Sequence, residues 1–312
     1  LKKKVGECSY GETRRIEFAC ALSSHSNIII LDEPFSGLDM KYCKAILCYL
    51  KTISEINNSI IIITSHHSPD YYDLEPNLNI KLSNNVNSEL FSKLLGEITT
   101  HIIREKKNNK ENISISEFEI YRSNNQILNI NDYTIIADKL NWFEGENGAG
   151  KTTLMLFLAG LISNSRLKSI KINGNIIGGI YDGWNIKAPN NKVRVLLQNP
   201  YKSFLHNYVL EDIPDVPKSI LKILSNWGNI ARTPYSFSFG QLKILQFLLI
   251  PTKTDVILFD EPLLGLHPNL YSLVIDSLNK IVDSGRNVIA CSESNFINLE
   301  NYSTNSNLIK LS

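Results

Sequence analysis

Gly145-Glu146-Asn147-Gly148-Ala149-Gly150-Lys151-Thr152 is the stretch on which the reading of this 312-residue chain turns. The pattern G-x-x-x-x-G-K-[ST] wraps consecutive backbone N–H groups around phosphates, with Lys151 reaching the β and γ groups and the Thr152 hydroxyl reaching Mg²⁺. Leu140 to Phe143 read as a strand end, and Thr153-Leu154-Met155-Leu156-Phe157-Leu158-Ala159 as the start of an apolar helix. This is the strand–loop–helix setting that the motif requires. Residues 145–153 are therefore expected to bind ATP or GTP. The competing reading, a Gly-rich surface turn ending by chance in Gly-Lys-Thr, leaves the flanking pattern unexplained.

A phosphate loop needs carboxylates. Val256-Ile257-Leu258-Phe259-Asp260-Glu261-Pro262 is a short apolar run ending in two acids, the pattern of a buried parallel strand. Ligands of open α/β sheets sit at the carboxyl ends of the strands. Asp260 is expected to hold Mg²⁺ through water, and Glu261 to polarise an attacking water. An ordinary acidic turn after a buried strand is the alternative.

Phe237-Ser238-Phe239-Gly240-Gln241 precedes Asp260 and resembles the signature motif of the ABC (ATP-binding cassette) ATPases, while Gln198 resembles their Q-loop glutamine. The same end-of-domain series occurs earlier. Cys8-Ser9-Tyr10-Gly11-Glu12 resembles a signature, Ile28-Ile29-Ile30-Leu31-Asp32-Glu33-Pro34 a Walker B strand, Gly37-Leu38-Asp39 a D-loop and Ser65-His66 a switch histidine. Ser9 to Asp32 spans 23 residues and Ser238 to Asp260 spans 22, so two registers agree to within one residue. A period of nearly 230 residues signals two copies of a globular unit. The first copy starts at its signature, without a phosphate loop or Q-loop, and the chain is expected to be an N-terminally truncated fragment.

The resemblance implies an α/β P-loop NTPase of ABC type: a mostly parallel sheet flanked by helices, an antiparallel β subdomain and a helical signature subdomain. Residues 1–98 are expected to be the end of a first domain, 99–112 a polar linker and 113–312 a second domain. Ile113 to Tyr121 alternates apolar and polar residues, the period of a half-buried strand. Tyr121 is placed like the aromatic that stacks on adenine, and packing in a core is an equal alternative.

ABC domains, as the resemblance implies, pair head to tail, each ATP lying between the phosphate loop of one and the signature of the other. One site would use the Lys151 loop, Asp260 and Glu261 with Ser9 and Gly11. The other would use Asp32, Glu33 and His66 with Ser238 and Gly240. Catalytic roles then fall to Glu261, Lys151, Glu33 and His66, and metal contacts to Thr152, Gln198, Asp260 and Asp32, with ATP and Mg²⁺ as cofactors. Glu293 stands where the family carries its switch histidine and His267 where it carries the D-loop aspartate. A carboxylate near a γ-phosphate repels it, and the Lys151 site is expected to be slow. An alignment off by one residue, with Glu293 turned away, is the alternative.

The rest of the sequence narrows the partners. A formal net charge of +1 supplies no nucleic-acid-binding field. Five cysteines without C-x-x-C or metal spacing suit a reducing compartment. No apolar run approaches the ~20 residues of a membrane span. Gln198-Asn199-Pro200, followed by Phe204, Val209 and Glu211-Asp212-Ile213, resembles the Q-loop region of energy-coupling-factor (ECF) and cobalt-type importers, which contacts coupling helices of integral membrane subunits. The expectation is the ATPase of a vitamin or metal-ion importer, cytoplasmic and peripheral on the inner face of the membrane. A soluble ABC-F-like translation factor and a regulatory ATP-binding module with little turnover stand as alternatives.

Overall fold

Packing divides the chain into two units, Leu1–Val86 and Asn87–Ser312. The computed structural model describes residues 10–23, 26–35, 38, 40–65, 73, 75, 76–80, 88–106, 112–122, 125–159, 161, 165–172, 175–177, 193–213, 216–227, 232–293 and 306–311.

The first unit contains helix α1 (Tyr10–Ser23), strand β1 (Ile28–Asp32), helix α2 (Met40–Asn57) and strand β2 (Ile60–Thr64). β1 and β2 pair in parallel, with Ile28 opposite Ile60 and Asp32 opposite Thr64. Successive strand side chains point to opposite faces. Ile29 and Leu31 accordingly turn into a core with Phe18, Phe35, Leu38, Cys43 and Leu50. Ile28, Ile30, Ile60 and Ile62 are exposed.

The second unit runs α3 (Ser88–Ile102), β3 (Ile113–Arg122), β4 (Asn125–Ile135), β5 (Leu140–Gly145), α4 (Lys151–Leu158), β6 (Ser165–Ile172), β7 (Asn175–Ile177), β8 (Val193–Leu196), α5 (Lys218–Leu224), α6 (Phe239–Leu245), β9 (Val256–Asp260), α7 (Tyr271–Asp283), β10 (Asn287–Glu293) and β11 (Ser306–Lys310). Among the described residues its parallel sheet has the order β11-β5-β10-β9-β8. A separate antiparallel sheet has the order β4-β3-β6-β7. One face of the parallel sheet packs Phe143, Leu258 and Ile289 against Leu154, Met155 and Phe157 of α4. The other packs Trp142, Ile257, Phe259 and Val288 against the apolar sides of α3, α5, α6 and α7. Strands buried on both faces read as continuous apolar runs, as Val256–Phe259 does.

The expected boundary needs correction. Residues 88–98 were assigned to the first copy and 99–112 to a linker, yet α3 runs to Ile102 and belongs to the second unit. Its Leu94, Leu95, Ile98 and Ile102 are buried in the second unit's core. The fully buried Arg286 fastens its end, donating from Nη2 to the Ile102 carbonyl at 2.8 Å. The same guanidinium donates to the Thr254 and Thr252 carbonyls and to Ser284 Oγ. Helix periodicity shows that one face of a helix is buried but does not say which core the helix enters.

Candidate nucleotide site

β5 ends at Gly145 and α4 begins at Lys151, so the glycine-rich octet is the turn between a buried strand and an apolar helix. Gly148 and Gly150 hold φ of 95° and 85°, a left-handed backbone that disfavours other residues. The N–H groups of the first helical turn lack intrahelical partners and, with the helix dipole, suit phosphate. Lys151 is 7% exposed. Its Nζ donates to the carbonyls of Gly145 at 2.7 Å and Glu146 at 3.0 Å, and lies 3.9 Å from Glu261 Oε1.

The parallel sheet brings the acids of β9 to this loop. Thr152 Oγ1 donates to Asp260 Oδ2 at 2.9 Å across 108 residues of chain. A hydroxyl and a carboxylate side by side are hard oxygen ligands, the donor set of Mg²⁺ held together with phosphates. Asp260 Oδ1 also accepts from Cys291 Sγ at 3.1 Å. Burial raises the Cys291 thiol well above its usual range, and the Asp260 and Glu261 charges add to this.

Glu261 follows β9 with φ of 53°, pinned by its N–H donating to the Cys291 carbonyl at 3.1 Å. Burial pushes its carboxyl up to about 8; Lys151 opposes the shift, and Glu293 and Asp260 reinforce it. The 3.9 Å approach of Lys151 thus does not offset the lost hydration. A carboxyl poised near neutral pH is suited to general-base work.

β10 lies between these elements, Glu293 standing in register with Gly145 on one side and Cys291 with Asp260 on the other. Glu293 is 8% exposed and accepts from Asn147 Nδ2 of the phosphate loop. The Glu293 side chain thus reaches the phosphate loop.

Sequence reasoning missed Lys243. It sits on α6, fully buried, and its Nζ donates to the carbonyls of Leu197 at 3.2 Å, Gln198 at 2.9 Å and Asp260 at 3.2 Å. Burial lowers its ammonium to about 8 against the opposing pull of Asp260, Glu261 and Cys291. Gln246 donates to the same Leu197 carbonyl at 3.1 Å and to Ser203 Oγ at 2.7 Å. The signal was a lone cation within Leu242-Lys243-Ile244-Leu245. Gln198 is thus fixed by its backbone, next to the Asp260 carbonyl.

Ser238 caps α6: its Oγ accepts from Gln241 N–H, and Gln241 Oε1 accepts from Ser238 N–H. This reciprocal capping box opens the helix. Phe239 lies on Gly265 of the loop after β9, where a Cβ would come within 2.3 Å of the ring. Gly240 is similarly close, 3.1 Å from the Gly265 carbonyl oxygen by the same measure.

The remaining candidates divide. In the first unit Glu33 has φ of 45° and its N–H donates to the Thr64 carbonyl at 3.2 Å, while exposed Asp32 accepts from Thr64 Oγ1. Gly11 lies in the first turn of α1. Ser9 and His66 lie outside the described residues. Tyr121 has its backbone at a register shift in β3, and its ring is outside what the structure describes. In the Gln198–Ile213 segment, Phe204, Val209 and Ile213 are buried, whereas Leu205 is 85% exposed.

Residues 128–264 match the model of the family described as ABC transporter. The energy-coupling factor transporter ATP-binding protein EcfA of Carboxydothermus hydrogenoformans is 29% identical over 160 residues, covering 46% of this chain and 57% of that protein. A Bacillus cereus protein, provisionally named an ABC transporter ATP-binding protein, is 22% identical over 350 aligned positions, covering 91% of this chain and 61% of its own length. The chain thus spans about three fifths of these relatives. Two solved structures share the fold at 16% identity. A dimeric ATP-binding cassette in a post-hydrolysis state with ADP and Pi superposes with TM-score 0.50, over 64% of this chain and 94% of that one. An ATP-binding subunit of an ABC transporter gives 0.51, over 64% and 86%.

Proposed function

We propose, taking residues 128–264 as an ABC transporter ATPase domain, that this chain binds Mg·ATP at Lys151 and hydrolyses it to ADP and phosphate to energise a membrane transporter. The observation that carries the reading is the meeting of the loop with the β9 acids, Thr152 Oγ1 on Asp260 Oδ2 at 2.9 Å. Loop N–H groups and Lys151 would hold the phosphates, and Thr152 and Asp260 the Mg²⁺. The metal's contribution is to neutralise charge on the transferring phosphoryl group. Glu261 would orient water in line with the γ-phosphorus and accept its proton. Lys243 would keep the Gln198 backbone and the end of β9 in one piece, preserving the geometry on which phosphoryl transfer depends.

The finer reading is an ECF or cobalt-type importer of a vitamin or metal ion. It rests on the Gln198–Ile213 string and on the named relatives. Integral membrane subunits would dock by coupling helices near Gln198 to Ile213, where buried Phe204, Val209 and Ile213 give the segment its shape and exposed Leu205 and Tyr208 offer contact. No helix among the described residues is long and apolar enough to cross a membrane, so the association would be peripheral, on the inner face. Two tandem copies, pairing so that Ser9 and Gly11 serve the Lys151 site and Ser238 and Gly240 that of Asp32, Glu33 and His66, complete the proposal. Its support is the repeated motif series and an alignment covering 91% of the chain. The carboxylate of Glu293 beside the loop favours low turnover as a second reading.

Calorimetry with Mg·ATP tests the site: wild type binds and Lys151→Ala loses at least tenfold in affinity. Equal affinities would remove the assignment. Co-fractionation with a small integral membrane protein supports transport, and sedimentation with ribosomes supports the translation-factor alternative.

A further inference from the structure

The centre of the site gathers three buried acids, Asp260, Glu261 and Glu293. β10 is flanked by β5, which leads into the phosphate loop, and by β9, which ends in Asp260 and Glu261. Its last residue, Glu293, is in register with Gly145, the first residue of the octet. The Glu293 carboxylate accepts a hydrogen bond from Asn147, inside the loop, and its charge is felt at Glu261. Glu261 in turn faces Lys151 Nζ at 3.9 Å. A nucleotide whose β-phosphate is cradled by the loop N–H groups would extend its γ-phosphate toward Lys151 and the loop edge where Glu293 accepts from Asn147. The β-phosphate would lie against the loop N–H groups.

We propose that Glu293 is a nucleotide-selecting residue that biases the Lys151 site toward nucleoside diphosphate over triphosphate. The inference rests on the nucleotide-site reading above. Like charges a few ångströms apart repel most where water is scarce. Glu293 is buried, as are Asp260, Glu261 and Lys151 around it. Among the described residues, the ionisable groups that act on Glu261 are Lys151 of α4, Glu293 of β10, Asp260 at the end of β9 and Lys243 of α6, the last occupied by three carbonyls. A neutral side chain at 293 retains a partner for Asn147 and removes the repulsion. Diphosphate binding is little affected by that change, because its contacts are with the loop.

The test is the ratio of ATP to ADP dissociation constants, measured by calorimetry at fixed Mg²⁺ for wild type, Glu293→Gln, Glu293→His and Lys151→Ala in the full chain. The ratio is expected to fall at least tenfold in both Glu293 variants, a change of about 1.4 kcal/mol, chiefly through tighter ATP. A ratio unchanged within twofold in Gln and His variants that melt like wild type and still bind ADP overturns the selectivity. Should Glu293→Gln fail to fold, Glu293→His carries the same comparison. Absence of any nucleotide binding by wild type, or equal binding by Lys151→Ala, overturns the underlying site as well, and so separates the two failures.

Discussion

Two acid pairs end two parallel strands, Asp32-Glu33 on β1 and Asp260-Glu261 on β9, and their backbones are alike. Each glutamate takes a positive φ, 45° and 53°, and each donates its N–H to the neighbouring strand, to Thr64 and Cys291 respectively. Each aspartate accepts from that same neighbour's side chain. Their surroundings differ. Ile30 is 68% exposed in the first unit, whereas Leu258, two residues before its own aspartate in the same way, is fully covered by the face that α4 closes. Local sequence thus sets the shape of an acid turn, and the covering layer sets its chemistry: Glu261 titrates near 8 because it is buried.

The comparison can be broken most forcefully at α3. A fragment starting at Ile113 loses Leu94, Leu95, Ile98 and Ile102, each worth about 1.5–3 kcal/mol of burial, against a total stability of about 5–15 kcal/mol. It is expected to lack a cooperative melt by circular dichroism, while a fragment starting at Asn87 retains one. Arg286→Ala strands several buried carbonyls and is expected to cost about 3–5 kcal/mol, read by urea denaturation. A cost under 1 kcal/mol would mean that Arg286 does not fasten α3.

Leu258→Ala is expected to cost about 3 kcal/mol. The sharper contrast comes from Glu261→Gln. The native carboxyl keeps its proton up to about 8, whereas an unfolded one releases it near the ordinary 4.5. Between those values the native state holds more protons, so this group's contribution to stability falls as pH rises. Glu261→Gln should therefore stabilise the unliganded protein on the order of 4 kcal/mol at pH 8 and little at pH 4.5, while abolishing ATP turnover. Turnover in wild type should rise with pH toward 8 as the base form fills. The smallest effect belongs to Ile30→Ala, about 0.5 kcal/mol or less, and a cost approaching that of Leu258→Ala would show that the open face is covered in solution.

The phosphate loop and the acids of β9 were legible because each is a contiguous string whose residues act on their immediate neighbours. The strand read over Ile113–Tyr121 was legible through its alternation, and the structure has a strand at Ile113–Arg122. The allegiance of α3 was not, since an apolar stripe at 94, 95, 98 and 102 fits any core. Lys243 and Cys291 were hidden because their roles come from burial against chain 17 to 46 residues away. The hydrogen bond of Glu293 to Asn147 spans 146 residues and belongs to the tertiary structure.

Phe239 and Gly265 give the molecule a mechanical property. The ring at the start of α6 rests on the one backbone position in the following loop that has no side chain to yield, and that position has φ of 72°. Gly265 is four residues beyond Glu261, and the loop between them is buried apart from the glycine itself. A rotation of the first turn of α6 would press the ring onto this backbone and toward the turn that begins at Glu261. The contact ties the start of α6 to the turn that carries Glu261, and the bulk at position 239 supplies it.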